Sequence, residues 1–417
     1  MDILVIPVPF FDKDMAVSGY FFQFQEGNSL FAANQTEREF DGVALSPLLA
    51  TLNIAGIDAF TMGLPIFVPI NSLSLLANLA DQCKVPPEKV VFVIRSDVKN
   101  EEPYISSIQG LKALGFRFAM QDIARVDQYS EIASLCDYVF FNHRLMHRVE
   151  WQLMYALVRK DHAHLSIAMT DVDAQEHFEE LRKQGPALFE GRFYRTPITR
   201  GAHNVNPLKF NLIKLLNLVR EENFEFTEVS AIVQRDTALS VSLMRMINSP
   251  ALGLKQKVNS ISHAVALLGE VEVSRWVTTA VSKLLGSDRP DELTRVSLVR
   301  ARFAENLAVK FKMEAAASGL FLMGLFSVLD VILELPMKNA LAMLHVTDEI
   351  RDALLEGKGD YGTVYSFIQN YEAADFKSVS RSLIVHDLLP SDIYDAYIGA
   401  LTWYRDIISG QEVDMPV

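Results

Sequence analysis

The sequence predicts two folds in tandem, an α/β half that closes as a (β/α) barrel over residues 1–200 and an all-helical half over residues 201–417. Through residue 200, short β-branched or aromatic runs alternate with helical patterns, which is the signature of βα units. From Pro207 onward the extended runs stop and apolar residues recur at spacings of three and four, as in Phe210, Ile213, Leu216 and Val219. Between them, residues 196–206 carry Pro197, Gly201, His203, Asn204 and Asn206, the composition of a linker.

In chain order, the strand-like runs are residues 3–9, 59–70, 90–94, 117–120, 138–141 and 165–169. Six or more such units in about 200 residues suit a barrel, whose functional groups gather at the C-terminal ends of its strands. In the second half, residues 226–248 read as two helices broken at Arg235-Asp236, with Val229, Ile232 and Val233, then Leu239, Leu243, Met246 and Ile247, on the apolar faces. Residues 319–335 are the most apolar run. They are too short for a comfortable span and carry Asp330 and Glu334, so a buried helix is expected there, with no membrane partner.

The chain has 417 residues, 50% of them hydrophobic and 22% charged, enough to fill two cores. Asp2, Asp12 and Asp14 stand where a secretory signal needs positive charge, and Cys83 and Cys136 form neither a CxxC pair nor a disulfide framework. A cytoplasmic protein is expected. Net charge is −13, with 18 Lys and Arg against 25 Asp and Glu through Arg200, and 21 against 27 after it. Neither half has the cationic excess that phosphate backbones reward, so no nucleic-acid partner is expected.

Phe10-Phe11-Asp12-Lys13-Asp14, leading to Val17-Ser18-Gly19-Tyr20, resembles the opening of EAL-type cyclic di-GMP phosphodiesterases, in the variant that precedes a helical HDOD domain. Pro69-Ile70-Asn71, Val90-Val91-Phe92-Val93-Ile94, Phe118-Ala119-Met120-Gln121-Asp122, Asp137-Tyr138-Val139-Phe140 and Phe189-Glu190-Gly191-Arg192 follow in that family's order. The resemblance implies two divalent metals held by oxygen ligands, because phosphodiester hydrolysis needs an activated water and neutralised charge. On this alignment the signature Glu falls on Phe21, the second-strand Asn on Asn71, the next Glu on Val93 and the paired aspartates on Gln121 and Asp122. The Lys falls on Phe140, a later Glu on Thr170 with Asp173 nearby, and the last Gln on Glu190. Asn71 and Asp122 are read as leftovers that satisfy local backbone groups, or as remnant ligand anchors if the chain is a sensor. No metal and no cofactor are expected, Phe21 and Phe140 should make the barrel mouth apolar, and Glu190 should add a negative charge that disfavours cyclic di-GMP.

Arg235-Asp236-Thr237-Ala238-Leu239, then Leu243-Met244-Arg245, Asn248-Ser249-Pro250 and the block Ser260-Ile261-Ser262-His263-Ala264-Val265-Ala266-Leu267-Leu268-Gly269, resemble the HDOD domain. Similarity to HD-type phosphohydrolases implies a His-Asp doublet after Gly324-Leu325-Phe326, where this chain has Ser327-Val328. His263 is expected to be structural, and Asn248 to end its helix in left-handed geometry ahead of Pro250. A DNA-reading role for residues 227–248 fails on charge, since the second helix offers only Arg245.

A zinc site can be drawn from His143, His147, His162, His164 and Cys136, but Arg144 and Arg148 within it favour a solvated face. The basic stretch 192–200 is expected to pair with acidic groups of the other domain, and the acidic helix 171–180 to be a solvated face. No GxSxG, P-loop or GxGxxG pattern occurs. The expected function is a signalling scaffold without enzymatic activity that binds a protein partner, with a sensor of cyclic di-GMP or another nucleotide as the alternative. A homodimer stays open.

Overall fold

The computed structural model describes residues 3–26, 57–70, 72–76, 79–95, 97–121, 130–195, 207–221, 223–248, 258–285, 291–344 and 346–409. The chain forms two compact units. The first takes residues 1–196 together with 309–312 and 366–405, and the second takes 197–308, 313–365 and 406–417.

Eight strands, β1 (Ile3–Phe11), β2 (Val17–Glu26), β3 (Ile66–Ile70), β4 (Val90–Ile94), β5 (Arg117–Met120), β6 (Tyr138–Asn142), β7 (Ser166–Thr170) and β8 (Leu188–Glu190), close a barrel in chain order in the first unit. Strand β1 runs antiparallel to both β2 and β8, and every other pairing is parallel. A tight turn therefore replaces the first crossover. Asp12 builds it, its Oδ1 accepting the N–H groups of Asp14 at 2.8 Å and Ala16 at 2.9 Å. Gly19 is required just beyond, because a Cβ there would meet the Phe67 ring at 2.8 Å and the Pro65 carbonyl at 2.9 Å.

Helices α1 (Ile57–Thr61), α2 (Ser72–Leu76), α3 (Leu79–Gln82), α4 (Tyr104–Ala113), α5 (Ser130–Leu135), α6 (Arg148–Asp161) and α7 (Gln175–Leu181) lie between the strands. The capping of α6 is reciprocal, with the His147 N–H donating to the Glu150 carboxylate at 3.0 Å, and Arg159 and Lys160 end it where cations suit the helix dipole.

The barrel interior follows from the period of two along each strand. Phe10, Phe67, Val91, Val93, Ala119, Phe140, Ala168 and Leu188 form one buried cluster, with Phe21 and Tyr138 packed against it. Phe10 centres 4.9 Å from Phe67 and 5.1 Å from Phe140, so aromatic rings fill the middle of the barrel.

The second half supplies α8 (Pro207–Leu218), α9 (Phe226–Gln234), α10 (Thr237–Ile247), α11 (Ile261–Leu285), α12 (Asp291–Lys310), α13 (Ala317–Phe326), α14 (Leu329–Leu333), α15 (Met337–Ala342), α16 (Asp348–Glu356), α17 (Gly359–Glu372), α18 (Phe376–Val385) and α19 (Pro390–Ser409). Asp236 caps α10 by accepting the Leu239 N–H at 3.0 Å, the break expected at Arg235-Asp236. The apolar run 319–335 is two helices rather than one, α13 and α14, parted at Ser327 and Val328. Gly324 permits the tight approach of α13 to α12, since a Cβ there would lie 2.5 Å from the Arg300 carbonyl. No helix among the described residues is long and apolar enough to cross a membrane.

Candidate functional site

The inward positions above the aromatic plug are polar on one side of the barrel. Gln121 directly follows β5, and Asn142, Thr170 and Glu190 end β6, β7 and β8. Asn142 Nδ2 donates to Asp171 Oδ2 at 2.5 Å, while its Oδ1 accepts the N–H groups of Arg144 at 2.9 Å and Leu145 at 3.2 Å. Arg144 in turn pairs with Asp173. Glu190 Oε2 accepts the Asp171 N–H at 3.1 Å, and Asp171 holds the left-handed backbone at φ 57°. Gly191, at φ 146°, lies so close to the Val172 backbone that no Cβ fits.

This packing changes the chemistry of Glu190. Burial pushes its carboxyl up to about 7, and the charges of Asp171 and Asp173 add to that, while the Asp171 N–H and the Arg192 charge oppose it. A carboxyl that titrates near neutrality can donate a hydrogen bond as well as accept one. Just past β6, His143 centres 4.8 Å from His177, and burial and that neighbour hold its imidazole below the usual range.

Of the residues the sequence reading placed here, Asn71 and Asp122 lie outside the described residues. Thr170 and Glu190 do come to the strand ends, with Gln121 beside them. Phe140 does not form an apolar mouth. It lies in mid-strand within the plug, with Val93, and Phe21 packs on the same cluster, because inward side chains two residues below a strand end sit inside the barrel. The cluster of Asn142, Arg144, Asp171 and Asp173 was missed as a set. Its signal is Asn142-His143-Arg144 directly after the run 138–141 and Thr170-Asp171-Val172-Asp173 directly after the run 165–169.

Phe21 and Val93 offer no oxygen to a divalent cation, and the described residues contain no group of three or more His, Cys, Asp and Glu placed to hold a metal. Two of the positions that the resemblance assigns to metal ligands are thus apolar, while Gln121 and Thr170 carry side-chain oxygens. The histidines of the imagined zinc site are spread over separate tasks, His147 at the start of α6 and His164 Nε2 3.1 Å from the Ala133 carbonyl. Cys136 is fully buried, and burial pushes its thiol far up.

In the helical unit, the expected doublet position is occupied by Ser327, whose Oγ accepts from Arg300 Nη1 at 2.9 Å and donates to the Gly324 carbonyl at 2.6 Å. Burial raises the Asp330 carboxyl, and the Arg300 charge opposes that rise. His263 is exposed on α11 rather than buried in a structural network. Asn248 ends α10 without left-handed geometry, at φ −95°, and its side chain instead bonds the Val258 carbonyl at 2.9 Å and the Val258 N–H at 2.8 Å.

The profile of the HDOD domain matches residues 207–344. The helical half carries an HDOD domain. Two curated relatives are similar over most of the chain. One is the uncharacterized protein YuxH of Bacillus subtilis (strain 168), 25% identical over 423 residues, covering 99% of this chain and 100% of that protein. The other is the cyclic di-GMP phosphodiesterase CdgJ of Vibrio cholerae serotype O1, 25% identical over 329 residues, covering 78% of this chain and 75% of that one. Among solved structures, the Klebsiella pneumoniae BlrP1 calcium and cyclic di-GMP complex at pH 8.0 is similar with a TM-score of 0.38 and 13% identity, covering 46% of this chain and 54% of that chain.

The expectation of a chain without enzymatic activity is corrected by the relative named as a phosphodiesterase. That expectation rested on the side chains assigned to the family's ligand positions. The strand ends carry further polar groups, Asn142, Asp171 and Asp173, that those positions leave out.

Proposed function

We propose that this chain is a cyclic di-GMP-linked signalling protein, in which the barrel takes the cyclic dinucleotide at the polar ends of β6, β7 and β8 and the HDOD domain engages a protein partner. The observation that carries the reading is the likeness to CdgJ, because an alignment of 329 residues is longer than the helical half and must include barrel residues. The chemistry of the strand ends supports it. Three carboxylates would repel a phosphodiester if all were ionised and unpaired, but Asp173 is paired with Arg144 and Glu190, raised to about 7, is partly protonated near neutral pH, which leaves the carboxylate of Asp171, held by Asn142. A protonated Glu190 is then a hydrogen-bond donor to an anionic oxygen, while the Thr170 hydroxyl, which donates to the Phe141 carbonyl at 3.5 Å, has lone pairs left to accept.

A cytoplasmic setting belongs to the same proposal, supported by Cys83 and Cys136, both buried and neither in a disulfide. The acidic balance of both halves speaks for a protein rather than a nucleic acid as the partner. The test is incubation of the full chain with cyclic di-GMP, with and without magnesium or manganese, read by calorimetry and by chromatography for the linear dinucleotide. Heat of binding, or product, supports the reading. Neither heat nor product at millimolar ligand would refute it.

A further inference from the structure

The barrel closes between its first and last strands, and that seam is the place where a distant stretch of chain returns. Strand β8 has three residues, and it meets β1 at only two positions, Phe10 opposite Glu190 and Phe11 opposite Phe189. The other residues of β1, from Ile3 through Pro9, have a strand partner only on the β2 side. Closing a sheet of this kind leaves backbone groups at the seam that must find other partners.

Two consecutive residues at the end of α17 reach this seam, one to a β1 carbonyl and one to a side chain just past β8. Tyr371 is fully buried, and its hydroxyl donates to the Val5 carbonyl of β1 at 3.1 Å. Glu372 pairs with Arg195, just past β8, at 2.6 Å, with both side chains largely buried. Arg195 also donates from Nε to the Tyr194 hydroxyl at 2.7 Å, and the Tyr194 ring centres 4.7 Å from Phe11 of β1. One residue thus holds β1 and the next holds the exit of β8. The segment that presents them is itself packed within the first unit, through Tyr371 against Tyr397 at 5.1 Å, Phe311 against Phe367 at 5.6 Å, and the Lys310 to Asp392 pair at 2.7 Å.

We infer that Tyr371 and Glu372 form a clasp that keeps the barrel shut between β1 and β8, so that the C-terminal segment 366–405 sets how readily that seam opens. Phe10 opposite Glu190 is one of the two pairs at the seam, so the clasp also holds the strand end that carries Glu190. The inference stands on the packing of the first unit and does not depend on what the barrel binds.

Hydrogen exchange of the full chain tests it. Tyr371→Phe removes one hydroxyl and keeps the ring, and Glu372→Gln removes one charge, so both variants retain the packed shape. Tyr371→Phe, which loses one buried hydrogen bond, should speed exchange of the β1 amides by about tenfold, and Glu372→Gln, which loses the charge but keeps an acceptor for Arg195, by a smaller factor, while β3, β4 and β5 stay within about twofold. The exchanged pair Arg195→Glu with Glu372→Arg should recover most of the protection that Glu372→Gln loses. Unchanged β1 exchange in both variants would overturn the clasp, and so would equal acceleration in every strand, which would make these residues part of general stability.

Discussion

The barrel interior and the core of the HDOD half solve the same problem with opposite materials. The barrel fills its centre with Phe10, Phe67 and Phe140 and keeps its polar groups at the strand ends. The helical unit buries charge. Glu292 and Arg295 on α12 pair at 2.7 Å with side chains 1% and 7% exposed, and Arg300 on the same helix reaches Ser327. An aromatic plug loses packing and area when trimmed, whereas a buried ion pair leaves an uncompensated charge when one partner goes. The two units should therefore fail in different ways.

The largest effect is expected from Glu292→Ala, which takes the carboxylate away from the buried Arg295 guanidinium and should destabilise the helical unit by about 3–5 kcal/mol. Denaturant unfolding followed by exchange of the α12 amides reads it, and a loss below about 1 kcal/mol would show that the pair is not buried charge in solution. Phe140→Ala should lower the stability of the barrel by about 3–5 kcal/mol and leave the helical amides unchanged. Equal losses in both units would break the comparison, because it would mean that one cooperative core spans the chain.

Glu190 sharpens the contrast from the barrel side. Its carboxyl titrates near 7 when folded against an ordinary 4.5, so the folded chain holds a proton that the unfolded chain releases. Stability should fall as pH rises from about 4.5 to 7 and level off above, by roughly 1–3 kcal/mol. Glu190→Gln keeps the acceptor for the Asp171 N–H, should flatten that slope, and should be the more stable form at pH 8. A parent and variant with parallel slopes in thermal unfolding from pH 5 to 8 would remove the group from the account. The smallest effect belongs to Arg144→Ala, whose pair with Asp173 is open to solvent at 65% and 44% exposure, and which should leave the thermal midpoint of unfolding unchanged.

How much of this was legible in the sequence depended on how local the signal was. Strands β4 and β5 match the β-branched and aromatic runs residue for residue, since a buried parallel strand reads as a continuous apolar run. Strand β2 was visible only as part of a motif, and β8, with three residues, is too short to set up a period. The apolar stretch 319–335 reads as one helix because hydropathy does not register the break at Ser327 and Val328. Nothing local announces that residues 366–405 return to the first unit, because the Tyr371 to Val5 contact joins positions 366 residues apart. At the candidate site, Thr170 and Glu190 were legible from motif order. Asn142 and Asp171 were not, since their pairing depends on two neighbouring strands ending in register, Asn142 opposite Thr170.

The central claim is that the polar strand ends meet an anionic cyclic dinucleotide with Glu190 in its neutral form. The most direct measurement is calorimetric titration of the full chain with cyclic di-GMP at pH 6 and at pH 8, for the parent and for Glu190→Gln. The account predicts micromolar binding at pH 6 that weakens by about tenfold at pH 8 in the parent, as the carboxyl ionises beside the ligand, and little pH dependence in the variant. No binding at either pH, or the same pH dependence in both proteins, would contradict it.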